Sequence, residues 1–185
     1  TPEPGSRPAV QRTVRLCTGA LFCAAGGKRK VKRHRQIGIY GVDEMIRKYV
    51  DGDIDAVMQI WLNTNIQAHS FISPDYWQSN FDTVKGMMPL AEVYVYEDDC
   101  TKQIGGFIGM NDNYIEGIFV KKAVQSKGIG KQLLNYAKEG KSTLRLSVYQ
   151  KNKKAIRFYL REEFAIQSEN IDNNTDEKEF VMVWN

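Results

Sequence analysis

Apolar positions along the chain change their spacing several times, and each change marks a new element. Residues 46–49 read as a short strand. Gly52 and Asp53 then punctuate, with Asp53 a candidate cap, and Ile54, Val57, Met58, Trp61 and Leu62 follow at i, i+3, i+4, i+7 and i+8. That spacing is one stripe of a helix that packs on a sheet. A second helical segment is predicted over 74–85, with Pro74 in its first turn and its end near Gly86. Residues 93–97 alternate as a strand, and Asp98-Asp99 suggests a turn. Two strands, 104–110 and 114–120, flank Asn111-Asp112-Asn113, a turn cluster that favours an antiparallel hairpin. A helix over 129–138, a strand over 142–149, a short helix opened by Asn152 and a last strand over 178–184 complete the pattern. There is no internal repeat.

The length of 185 residues suits about one domain with enough apolar sequence for a core. No run reaches the roughly eighteen apolar residues of a membrane span, so no membrane association is expected. The formal charge of +4 is unevenly spread: residues 1–44 hold nine Lys or Arg against three Asp or Glu, and residues 45–185 hold seventeen against nineteen. The basic character belongs to the leader, 1–44, and the domain is expected over 45–185. Within the leader, the basic run at 28–35 reads either as a polyanion-binding patch or as a solvated, disordered tail, and lack of periodicity and aromatic interleaving favours the tail. The apolar stretch at 16–25 mimics a signal peptide only faintly. Met45 stands directly before the first strand, so a non-native leader is one expectation.

Cys17, Cys23 and Cys100 make a poor disulfide framework, which suits a reducing compartment and a cytoplasmic protein. His34 and His69 lie far apart with no metal-ligand spacing around either, and no metal is implied.

The most informative stretch is Gln125-Ser126-Lys127-Gly128-Ile129-Gly130, which joins the strand at 114–120 to the helix at 129–138. A glycine-rich turn into a helix leaves unpaired N–H groups aimed at one point near the positive end of the helix dipole. Gly128 and Gly130 remove Cβ atoms and permit positive φ, while Lys127 and Lys131 add charge; the stretch can cradle a pyrophosphate. A P-loop would need glycine at Gln125 and Ser or Thr at Gln132, and a dinucleotide fingerprint would need glycine at Leu133. Both fail on residue identity.

The stretch does match Q/R-x-x-G-x-G/A, and it resembles the pyrophosphate loop of the GNAT superfamily of N-acetyltransferases. Asn152, Ala155, Tyr159 and then Phe164 resemble that family's second signature, and Glu116-Gly117-Ile118-Phe119-Val120 ends five residues before Gln125, the family's usual distance. Trp61, the segment Ala68-His69-Ser70-Phe71-Ile72 and Tyr76-Trp77 are similar to a small bacterial subgroup, protein-directed acetyltransferases among them.

The resemblance implies a mixed α/β fold, a mostly antiparallel central sheet flanked by helices and splayed between the strands ending at Val120 and Tyr149. It implies acetyl-CoA as donor and direct attack by an amine, either a protein lysine or N-terminus or a small molecule, with no covalent enzyme intermediate. Backbone near Ile118 or Phe119 would stabilise the developing oxyanion, and Val120 would pair the pantetheine arm. Gln125, Ser126, Lys127, Gly128, Ile129, Gly130 and Lys131 would hold the pyrophosphate. Tyr159 would protonate the departing thiolate, although its helical spacing beside Phe158 also suits a core position. Asn152 would donate to the pantetheine, cap its helix, or do both. Glu116, on the same strand face as Ile118 by alternation, is a candidate base, and a solvated strand carboxylate is the plainer reading. His69, Phe71 and Tyr76 are candidates for the acceptor side, with Trp77 more a core residue; His69 could accept a proton. Glu163 departs from the pattern, standing where the family carries a glycine that relaxes the helix-to-strand turn. The alternative is a module that keeps a CoA pocket without catalysis and contacts nucleic acid through its basic leader.

Overall fold

The computed structural model describes residues 45–185. The readings of the leader as a tail, a polyanion patch or a signal-like stretch fall outside the described residues.

Strand β1 (Ile46–Lys48) leads through a single 3-10 turn into α1 (Ile54–Ala68). Asp53 does not cap α1 as expected. Its carboxylate accepts instead from the Val50 N–H at 2.9 Å and from both terminal nitrogens of Arg47 at 2.7 and 2.9 Å, so the entry turn is tied back to β1. The helical segment expected over 74–85 is two helices, α2 (Pro74–Ser79) and α3 (Phe81–Met87). The break has a local cause: the Asn80 side-chain amide donates to the Tyr76 carbonyl at 2.6 Å, taking the acceptor that an unbroken helix would offer to the Asn80 backbone.

Strands β2 (Glu92–Glu97), β3 (Ile104–Asn111) and β4 (Tyr114–Val120) form an antiparallel meander. Asp112 takes φ +52 in the β3–β4 turn, a conformation that short polar side chains tolerate. Helix α4 (Ile129–Lys138), β5 (Leu144–Tyr149) and α5 (Lys153–Arg161) follow. β5 begins two residues later than expected, because Gly140 at φ +70 and its neighbours are used in leaving α4. The sequence reading missed β6 (Ala165–Asp172), which pairs with β7 (Glu177–Trp184) as the sheet edge. Seven of its eight residues are exposed, so it carries no apolar alternation to betray it.

The seven strands run in the order β1-β2-β3-β4-β5-β7-β6, and every neighbouring pair is antiparallel except β4 with β5. Two apolar cores fill the two faces. Val57, Met58 and Trp61 of α1, with Trp77 and Val84, pack against Val93, Val95, Phe107 and Phe119 on one side. Leu133 and Leu134 of α4, with Ile156 and Tyr159 of α5, pack against Ile108, Met110, Ile115, Leu146 and Met182 on the other. Each such buried large side chain contributes roughly 1.5–3 kcal/mol of apolar transfer.

Candidate active site

The one parallel junction is where the sheet opens. β4 and β5 are in register at Tyr114 and Arg145, and among the described residues this is the only register pair between them, although six of the seven residues of β4 and four of the six of β5 lie beyond it. The strands therefore part toward Val120 and Tyr149. A groove of about 1100 Å³ lies at this opening, walled by Ile118 and Val120 of β4, the loop into α4, one face of α5 along its length and the end of α1.

The loop is shaped by two left-handed residues. Ser126 has φ +63 and Gly128 φ +86. Turns with such residues gather successive N–H groups on one side. Space is not the reason for Gly128: a Cβ there would come no closer than 3.9 Å to another atom, so its backbone conformation is what asks for glycine. Gly130 differs from expectation, since it lies inside α4 with no positive φ; a Cβ would make ordinary contact with Phe158 at 3.7 Å and Val120 at 3.8 Å. No side chain caps the N-terminus of α4 and its first turn holds no acid, so its dipole end is presented to the groove uncompensated.

Gln125 pins this loop on both sides. Its Nε2 donates to the Val120 carbonyl at 2.9 Å, and its Oε1 accepts from Lys154 at 2.8 Å. Gln125, Ser126, Gly128, Ile129, Gly130, Lys131, Ile118, Val120, Asn152 and Tyr159 all line the groove, whereas Lys127 is exposed outside its wall. Tyr159 is 7% exposed, with edge contacts to Phe158 and Phe164. Its core position and its groove position are therefore the same position. The Phe119 side chain turns to the opposite core, stacked on Phe107 at 4.6 Å, so only its backbone can serve the opening.

Glu116 is 1% exposed and does not line the groove. The alternation that placed it beside Ile118 is interrupted: Gly109 pairs with Gly117 and Met110 with Ile115, so Glu116 is the extra residue of a bulge. His69, Phe71 and Tyr76 are brought together, but behind the groove wall. His69 is 5% exposed, stacks on Trp77 at 5.4 Å and meets Phe71 and Tyr149 edge-on. Tyr76 packs edge-on against Trp77. Burial pushes the His69 imidazole down to about 4, so it is neutral at ordinary pH.

Two sets of lining residues escaped the sequence reading. Thr64, Gln67 and Ala68 supply the α1 wall, and their i, i+3, i+4 spacing along one edge of the apolar stripe was the available signal. Lys122, Lys151, Lys153, Lys154, Arg157 and Arg161 join Lys131 as a cationic rim in which Glu162 is the single acid. Lys153, Arg157 and Arg161 stand at i, i+4 and i+8 on α5, a stripe visible in the sequence.

A left-handed loop, an uncapped helix end, a cationic rim and a parted pair of strands suit a long anionic ligand with a pyrophosphate and an extended arm. The profile of the acetyltransferase (GNAT) domain family matches residues 89–166. The peptidyl-lysine N-acetyltransferase YiaC of Escherichia coli (strain K12) is 30% identical over 142 residues, covering 76% of this chain and 96% of its own. The peptidyl-lysine N-acetyltransferase YjaB of the same strain is 23% identical over 121 residues, covering 65% of this chain and 82% of its own. The solution structure of apo-form YjaB from Escherichia coli shares the fold with a TM-score of 0.68 at 21% identity, covering 75% of this chain and 95% of that one.

This chain belongs to the GNAT acetyltransferase family. It is an acyltransferase, and the family's acetyl donor is acetyl-CoA. Among the described residues no helix is long and apolar enough to cross a membrane.

Proposed function

We propose that the chain transfers the acetyl group of acetyl-CoA to a primary amine, and that the amine belongs to a protein, as a lysine side chain or an N-terminus. The observation that carries this reading is the continuity of one groove from the α4 cradle, past the parted ends of β4 and β5, to Tyr159. The names of the two Escherichia coli relatives support a peptidyl-lysine acceptor. A cytoplasmic setting is part of the proposal, supported by Cys100, an exposed free thiol.

Bound acetyl-CoA supplies an acetyl thioester. The first-turn amides of α4, with Ser126 and Gly128, hold its pyrophosphate, and the rim cations screen the remaining phosphate charge. The open edge of β4 from Ile118 to Val120 offers backbone groups to its extended arm. Tyr159 carries its proton at Oη on the groove wall, the proton that a departing thiolate needs.

Calorimetric titration of acetyl-CoA, CoA and ATP into the full chain, followed by thiol-release assays with lysine peptides and with spermidine, tests the reading. Micromolar binding of both CoA compounds, weak ATP binding and turnover with peptides are expected. No CoA binding would overturn the cofactor assignment, and turnover with spermidine alone would overturn the protein acceptor.

A further inference from the structure

Asn152 lines the groove, yet its side chain is already committed in two directions. Its Oδ1 accepts from the Ala155 N–H at 3.1 Å, capping α5. That bond settles which end of the amide is oxygen, since a backbone N–H needs an acceptor. The atom 3.2 Å from His69 Nε2 is therefore Nδ2, a donor, and Nε2 must be the bare, accepting nitrogen. The His69 proton then resides on Nδ1, a buried atom with no hydrogen-bond partner among the described residues, so the tautomer is set by the contact at Nε2.

His69 itself is held rigidly. Its backbone N–H donates to the Asn65 carbonyl at 3.0 Å as α1 ends, its own carbonyl accepts from Ile72 at 2.9 Å, and its ring is boxed by Trp77, Phe71 and Tyr149. A phenylalanine would fill such a box without the cost of burying ring nitrogens. What the imidazole adds is one acceptor, aimed at Asn152.

We propose that His69 is a positioning residue: by accepting one Nδ2–H of Asn152 it directs the other Nδ2–H to the groove as a donor and ties the turn after α1 to the start of α5. The two walls of the groove, one from the segment that the GNAT profile matches and one from α1 outside it, are thereby held in a single geometry. His69 is not a proton acceptor for the amine in this arrangement, since its free lone pair is spent on Asn152. The inference rests on the groove being the acetyl-CoA site, and it can fail separately, because its first readout needs no cofactor.

That readout is the nitrogen NMR spectrum of the imidazoles in the full chain, with His69→Phe identifying the signal. A bare Nε2 and a protonated Nδ1 are expected between pH 8 and pH 6; a protonated Nε2 overturns the proposal. The second readout compares His69→Gln, whose Oε1 can accept from Asn152, with His69→Phe. Gln is expected to keep CoA affinity and turnover within about threefold, while Phe weakens CoA binding and lowers kcat about tenfold each, as expected for a lost groove donor. Equal behaviour of Gln and Phe variants that unfold at wild-type temperatures would overturn the positioning role. So would loss of a limb of the pH–rate profile in His69→Gln, which would mark a base. If wild-type protein binds no CoA, the cofactor reading fails while the tautomer result still decides the contact.

Discussion

The Nε2 of Gln125 reaches back five residues to the carbonyl of Val120 at 2.9 Å, so the last residue of β4 and the first of the cradle form one rigid corner. The same side chain takes Lys154 of α5 on its oxygen at 2.8 Å. Loop, strand and helix are therefore locked by one amide. Replacing Gln125 with Ala should weaken CoA binding about fivefold, the equivalent of one hydrogen bond of about 1 kcal/mol. Calorimetry of the variant checks this, and Gln125→Glu should be worse, because a carboxylate cannot donate to Val120.

Gly128 and Gly130 should part company when each becomes alanine. At Gly128 the left-handed φ of +86 costs an L-residue roughly 1–2 kcal/mol, so Gly128→Ala should lower the unfolding temperature. At Gly130, inside α4 and with ordinary contacts at 3.7 Å, alanine should raise helix stability by roughly 0.5–1 kcal/mol. Both should weaken CoA binding if the phosphates approach the backbone closely. Thermal unfolding paired with calorimetry separates the two effects; full CoA affinity in both variants would show that neither glycine serves that approach.

Glu163 occupies φ +69 immediately after the last turn of α5, so the turn keeps a left-handed geometry without the glycine that suits it. Glu163→Gly should therefore stabilise the fold by roughly 1 kcal/mol, unusual for a change to glycine, with turnover unchanged. A fall in unfolding temperature would show that contacts of the glutamate outweigh the backbone strain.

Tyr159→Phe preserves the ring that packs with Phe158 and Phe164 and removes only the hydroxyl. Turnover should fall about a hundredfold or more if the hydroxyl supplies the thiolate's proton, with CoA affinity nearly intact. Full turnover, measured where chemistry limits the rate, would withdraw the role.

Stability should fall in mild acid through His69. Its folded value of about 4 lies below the ordinary value of 6.5, so between them the unfolded chain binds a proton that the native chain refuses. Stability is thus fully present above about pH 6.5 and is lost as pH falls toward 4, with a slope that approaches about 1.4 kcal/mol per pH unit for one proton. Denaturant unfolding of wild type and His69→Gln over that range isolates this proton, because the other groups are common to both. Parallel curves would mean that His69 titrates normally in the native state.

Much of the fold was legible because its signals are local. The stripe of α1, the hairpin around Asp112, the glycine turn at Gln125 to Gly130 and the Asn152 cap each depend on residues within a few positions of one another. Strand β6 was not legible, since an edge strand held only by β7 needs no apolar face. Nor was the bulge at Glu116 legible, because a register shift is a property of two strands and alternation describes only one.

The amino-acid sequence by itself determined the family and the turn into α4, because the motif and the left-handed Gly128 lie within one short segment. Only the tertiary structure decided that β4 and β5 part after Tyr114 and Arg145, that Lys153, Arg157 and Arg161 rim the opening, and that His69 stands behind Asn152, 83 residues away in the chain. Those relations are set by which surfaces pack together, and packing joins residues whose separation in sequence carries no periodic trace.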